Sequence, residues 1–197
     1  MEATYHIELS AYYQEISNTA NHLWQKGWAE RNGGNISRII PVSVSQTPLK
    51  CTKKRHPLKT ALPNLANRIL LMTGTGTRMR DVAAMPEANI SIIAIANNGS
   101  EYIILSPDIP PTSELPSHLM IHNYLQGHRS EYGTIVHTHP TNVVAMSHLK
   151  AFKDEKHFRE TLWKMIPETY VFLPKGIALL PYYMPGGNEI AEKSVEA

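Results

Sequence analysis

His137 and His139 flank Thr138 in a short apolar and β-branched run over 134–138. On a strand, side chains alternate between faces, so both imidazoles leave the same face with their Cα atoms roughly 6.5–7 Å apart. Two rings so placed can converge on one cation, and histidine is the commonest metal ligand. Pro140 ends the run and puts the pair at a sheet edge. Read alone, the pair is either part of a metal site or two packing or surface histidines. A catalytic zinc takes three protein ligands and keeps an open position. His118 and His122 stand at helical i, i+4 spacing, and Glu114 continues their stripe. These three form a rival metal set, or else His118 and His122 are half-buried helix residues with ordinary hydrogen bonds. Glu114 itself reads as a charge that complements a helix dipole or as a general base aimed by a rigid helix.

Two glycine-rich turns could hold an anion or a hydroxylated ligand near such a base. Arg31-Asn32-Gly33-Gly34-Asn35 offers amide donors and closely approachable backbone, and Thr73-Gly74-Thr75-Gly76-Thr77 offers hydroxyls and backbone N–H groups. Thr112 and Ser113 add hydroxyls at a helix start. Neither turn matches a P-loop or a dinucleotide fingerprint.

The elements that must carry these groups follow from periodicity. Residues 7–26 read as an amphipathic helix, with Ile16, Ala20, Leu23 and Trp24 on one face and Gly27 at its end. A strand is predicted over 36–42, then a Pro- and Lys-containing excursion over 43–67, then a buried strand over 69–73. Strands at 90–96 and 102–105, joined by Asn97-Asn98-Gly99, read as a hairpin. Ser113 is the expected N-cap of a helix over 114–126. Helices are predicted at 142–150, 155–166 and from Gly187 onward, with short strands at 170–173 and 177–180. The order implies an α/β fold with a mostly antiparallel central sheet flanked by helices, in a single domain over 1–197.

Composition bounds the function. The chain has 197 residues, 42% hydrophobic and 18% charged, which is a globular profile. Its net charge of +2 carries no nucleic-acid signature. The one basic run, Lys50, Lys53, Lys54, Arg55 and Lys59, reads as a solvated loop or an anion contact. No stretch reaches the roughly 18–20 apolar residues of a membrane span. The start, MEATYHIELS, lacks the basic and apolar regions of a signal peptide, which points to the cytoplasm. Cys51 is the single cysteine, so no disulfide within the chain and no cysteine zinc cage are available.

Five segments, in order, resemble the class II aldolase/adducin family: GWAERNGGNIS (27–37), LMTGTGTRMRD (71–81), PTSELPSHLMIH (111–122), IVHTHPTN (135–142) and LPKGIALLPYYMPGGNEI (173–190). The resemblance implies that family's fold and a reversible, zinc-dependent aldol cleavage of a ketose 1-phosphate. L-Rhamnulose 1-phosphate, split to dihydroxyacetone phosphate and L-lactaldehyde, is the expected substrate. By the same resemblance His137 and His139 are zinc ligands, and Glu114 is the acid/base at the carbon of the enediol. Asn32, Gly34, Asn35, Thr75, Gly76, Thr112 and Ser113 line the phosphate and hydroxyl pocket. Glu168 is a second carboxylate that reaches a neighbouring subunit's site, in a homotetramer without nucleic-acid or membrane partners. The family's third zinc histidine lies on a strand after the Pro-Gly-Gly-Asn-Glu helix, so the sequence reads as C-terminally truncated, with doubtful activity of its own. Other readings are another sugar-phosphate aldolase, an epimerase or a dehydratase of the same fold, or a non-catalytic adducin-like assembly module.

Overall fold

Strand β3 (Ile69–Thr73) is buried at every residue, as is β4 (Ile90–Ile95). Continuous runs of apolar and β-branched residues of this kind suit strands covered on both faces. The computed structural model describes residues 2–41, 54–106, 109–128 and 131–197. In it these two strands sit at the centre of a six-stranded sheet with β1 (Asn35–Ile40), β2 (Arg55–Pro57), β5 (Glu101–Ser106) and β6 (Thr134–His137). The strand order is β2-β5-β4-β3-β1-β6, and every pairing is antiparallel. Lys50, Cys51 and Lys53 lie outside the described residues, as does the end of the strand expected over 36–42.

Alternation sorts the core into two layers. One face of the sheet carries Ile36, Ile40, Ile69, Leu71, Ile90, Ile92 and Ala94. It is covered by α1 (Glu2–Gln25), through Leu9, Tyr13, Ile16, Ala20 and Leu23, and by α2 (Met79–Ala84), through Met79 and Val82. That spacing in α1 is a core-facing helical stripe. The other face carries Ile39, Leu70, Met72, Ile93, Ile95 and Ile104, packed with Leu62, Leu65 and Leu119 of α4 (Leu115–His128). Burying each such side chain contributes about 1.5–3 kcal/mol. The remaining helices are α3 (Pro86–Asn89), α5 (Thr141–Ser147), α6 (Glu155–Met165), α7 (Pro167–Phe172) and α8 (Asn188–Glu196), the last of which packs on α4. Among the described residues, no helix is long and apolar enough to cross a membrane.

Three expectations are corrected. Residues 170–173 and 177–180 are not strands: the first falls in α7 and its end, and the second has no regular structure. Pro167 at the start of α7 presets a helical φ, and among the described residues no strand pairs with the segment; Phe172 is 79% exposed. Helix α4 starts at Leu115, which leaves Glu114 in the turn before it. The hydroxyl that serves this turn belongs to Thr112, whose Oγ1 accepts from the Glu114 amide at 3.3 Å, and not to Ser113.

Candidate active site

The C-terminus of α1 begins the site. Gly27 adopts φ +68°, and the Gly27 and Trp28 amides donate to the carbonyls of Trp24 (3.0 Å) and Leu23 (2.9 Å). This paired closure with a left-handed glycine is the Schellman ending, and it throws the chain sharply aside. The Trp28 carbonyl so exposed accepts from the His139 amide at 2.7 Å and from Thr138 Oγ1 at 2.6 Å. The His-Thr-His segment is thereby held just beyond the end of β6.

The following turn fits around the two histidines. Gly34 has φ +77°, and a Cβ on it would stand 3.0 Å from the His137 carbonyl. A Cβ on Gly33 would stand 2.9 Å from His139 Nδ1. Side chains at these positions would collide with the segment that carries the rings.

Sheet register brings in the rest. Asn35 pairs directly with His137 across β1 and β6, so both project from one face, and Ser37 follows Asn35 on that face. Helix α4 lies over it and supplies His118 and His122, with Glu114 just ahead of its first turn. The His137 and His139 rings are 4.9 Å apart between centroids, with their Nε2 atoms 3.2 Å apart. Glu114 Oε2 is 2.5 Å from His137 Nδ1, without hydrogen-bond alignment. Glu30 Oε1 is 3.5 Å from His139 Nδ1.

A cleft of about 260 Å³ opens over these groups. Its walls are residues 32–35, 74–77 and 112–114, with His137 and His139. Sequence-predicted Asn32, Gly34, Asn35, Thr75, Gly76, Thr112, Ser113, Glu114, His137 and His139 are therefore brought together. Glu168 is not: it is exposed on α7 and does not line the cleft. The amides of Gly33, Gly74, Thr75 and Thr77 donate to carbonyls within the turns or beside them. The exposed hydroxyls of Thr75 and Ser113 stand at the cleft instead.

The rival metal set is corrected. His118 and His122 point at Ser37, whose Oγ lies 2.6 Å from His118 Nδ1 and 2.8 Å from His122 Nε2. The other face of His118 is taken by Asn35: Nε2 meets Oδ1, while Asn35 Nδ2 donates to Glu114 Oε2 at 3.3 Å. Burial is the main force that pushes His118 down to about 4 and His122 down to about 3, so both are neutral near pH 7. The His137 imidazole holds the Glu114 carboxyl below the ordinary carboxylate range, which keeps it an anion. Ser37 is the member that sequence reasoning missed. Its period-two relation to Asn35 was visible, but its histidine partners come from residues 81 and 85 positions away.

The His137–His139 pair suits a shared cation. Two nitrogens on a tetrahedral zinc at about 2.0–2.1 Å would be about 3.3 Å apart, close to the separation present. Carboxylates lie near both Nδ1 atoms, and with hydrogens there the two Nε2 lone pairs would be free for a shared cation. Among the described residues, no group of three or more His, Cys, Asp or Glu is placed to hold a metal.

The family model described as "Class II Aldolase and Adducin N-terminal domain" matches residues 14–197. A rhamnulose-1-phosphate aldolase of Bacteroides thetaiotaomicron is 39% identical over 191 residues, covering 95% of this chain and 71% of that protein. One from Listeria welshimeri is 35% identical, covering 96% of this chain and 70% of its own length. The crystal structure of a sugar-phosphate aldolase from Thermotoga maritima superposes with a TM-score of 0.79 at 33% identity, over 93% of this chain and 75% of that one.

Proposed function

The chain belongs to the class II aldolase and adducin family and is an aldehyde-lyase, and on that premise we propose that it cleaves L-rhamnulose 1-phosphate reversibly to dihydroxyacetone phosphate and L-lactaldehyde. The observation that carries this reading is the Glu114 carboxylate set against the His137–His139 pair, under a cleft walled by neutral hydrogen-bond donors. The substrate named for the relatives at 35–39% identity supports the choice of sugar phosphate.

In this reading His137 and His139 would hold zinc, which would supply Lewis-acid stabilisation of the negative charge that develops on the substrate. Asn32, Gly34, Asn35, Thr75, Gly76, Thr112 and Ser113 bind the phosphate and hydroxyl groups and fix the reacting carbon over Glu114. When the C3–C4 bond breaks, its electron pair stays on C3 and the aldehyde fragment departs. In cleavage the C4 hydroxyl gives its proton to the Glu114 anion, which then delivers it to C3; in synthesis Glu114 removes the proton from C3 and it returns to the new C4 oxygen. A carboxyl held below its ordinary range is ready as the base for the synthetic direction. Glu168 serves a neighbouring copy in a homotetramer, which accords with its exposed place away from its own chain's cleft. The enzyme acts in the cytoplasm.

The test is turnover of L-rhamnulose 1-phosphate and other ketose phosphates by the zinc-supplemented protein, with zinc counted by elemental analysis. Glu114→Gln should lower kcat by about 10²–10⁴-fold with zinc content kept. Absence of turnover with any ketose phosphate by zinc-loaded protein would remove the aldolase reading, and a metal-free, inert protein would favour an assembly module.

A further inference from the structure

The line of buried groups behind Glu114 has a direction. Glu114, as a carboxylate, can only accept, so the Asn35 amide must turn its NH₂ toward Oε2. Asn35 Oδ1 then faces His118 and accepts from Nε2–H. His118 Nδ1 is left without a hydrogen, so the Ser37 hydroxyl donates to it at 2.6 Å. Ser37 Oγ in turn accepts from His122 Nε2–H at 2.8 Å. Every donor in the series therefore points toward Glu114, from His122 through Ser37, His118 and Asn35. His118 is 2% exposed and His122 and Ser37 are 0% exposed, so bulk water does not compete for these bonds. The opposite tautomer of His118 would present a lone pair to Asn35 and flip its amide. The amide oxygen would then face the carboxylate, two acceptors in contact.

We infer that His118, locked by Ser37, is a positioning residue that fixes the Asn35 amide and through it the Glu114 carboxylate. Residues on β1 and α4 thus set the orientation of a group that the cleft uses, although His118 itself is not in the cleft wall. The inference rests on the acid/base role proposed for Glu114, and its wiring is measurable without that role. A static apolar packing role for His118 would demand only its volume, whereas this one demands a donor at the Nε2 position.

His118→Phe keeps the ring and removes the donor. His118→Gln keeps a donor near the Nε2 position. With L-rhamnulose 1-phosphate, His118→Phe should lower kcat by about 10–100-fold with KM changed by less than about 3-fold, and His118→Gln should recover most of kcat. Ser37→Ala, the second variant should His118→Phe fail to fold, should lower kcat several-fold and release the His118 tautomer. Nitrogen-15 NMR of the unliganded protein should show His118 and His122 neutral with hydrogen on Nε2. The Asn35 side-chain amide signals should move in His118→Phe and stay near wild type in His118→Gln. An Nδ1–H tautomer at His118, or unmoved Asn35 signals in a folded His118→Phe protein, overturns the inference whether or not the sugar phosphate is turned over. Unaltered kcat in that variant overturns it too. An inactive wild type with the expected NMR pattern counts against the proposed reaction alone.

Discussion

Acid should unfold this protein early, and the two buried histidines set the size of the effect. Burial pushes His118 from 6.5 down to about 4 and His122 from 6.5 down to about 3. In the unfolded chain both return to ordinary behaviour. Above pH 6.5 neither state binds these protons, and the stability of the native state is fully present. Below it the unfolded chain takes them up while the native protein does not, so stability falls as pH falls, by about 1.4 kcal/mol per pH unit for each histidine. Between pH 7 and 5 the pair together removes about 4 kcal/mol, a large part of the 5–15 kcal/mol typical of a domain. The loss continues until the pH passes the native values near 4 and 3. Glu114, held low, adds its own loss with the same sign, but only below the ordinary carboxylate range near 4.5, so the interval from 6.5 to 5 isolates the histidines. The assay is urea unfolding in EDTA at pH 7, 6 and 5. At a slope of about 2 kcal/mol/M the midpoint should drop by about 2 M between pH 7 and 5. His118→Gln combined with His122→Gln should flatten that dependence. A wild-type loss under about 1 kcal/mol, or a double variant that keeps the full slope, would refute the reasoning.

Gly33→Ala should weaken zinc binding by about 10-fold or more, because its Cβ would press within 2.9 Å of His139 Nδ1. A competitive zinc titration against a chromogenic chelator measures it, and unchanged affinity would show that the ring has room to move. Leu71→Ala, which empties a fully buried position of β3 beneath α1, should cost about 2–5 kcal/mol in urea unfolding, whereas Val136→Ala at a 41% exposed position of β6 should cost under about 1 kcal/mol.

Much of the scaffold could be read from local pattern. The α1 stripe, the β3 run and the Asn97-Asn98-Gly99 hairpin each carry their periodicity or turn chemistry within a short window, and the structure contains them, except that Trp24 of the expected stripe is 49% exposed. The segment at 170–173 has a strand-like composition, but Tyr, Val, Phe and Leu favour strands only where a pleated neighbour exists to pack them. Here Pro167 starts a helix instead. The one-residue shift at the start of α4 has a similar origin. Thr112 bonds the Glu114 amide and holds Glu114 in the turn, a competition that composition alone does not resolve. The resemblance brought the cleft residues together as a list, while the Asn35–His118–Ser37–His122 series depended on β1 lying between β3 and β6 with α4 across that face. Strand order is a long-range property, and no spacing within β1 or α4 specifies it.

Charge in the cleft ties the proposed chemistry to the scaffold. The lining residues described include no lysine or arginine, yet they include the Glu114 anion. A doubly charged phosphate brought into such a space meets repulsion, and neutral hydroxyl and amide donors offset that only in part. A divalent cation between His137 and His139 would reverse the local sign without adding a basic side chain. It would also give Glu114 a second attractor beside His137 Nδ1, since its charge draws the carboxylate while an imidazole that shares its other nitrogen with a cation is a stronger hydrogen-bond donor. The carboxylate would then have two attractors, the cation and the imidazole, and its position would be poorly defined by electrostatics alone. A third, directional restraint from Asn35 resolves this, because an amide N–H fixes one oxygen in angle as well as distance. The buried histidine–serine series behind Asn35 is what makes that restraint single-valued, so the acid sensitivity of the fold and the orientation of the Glu114 carboxylate have one structural source.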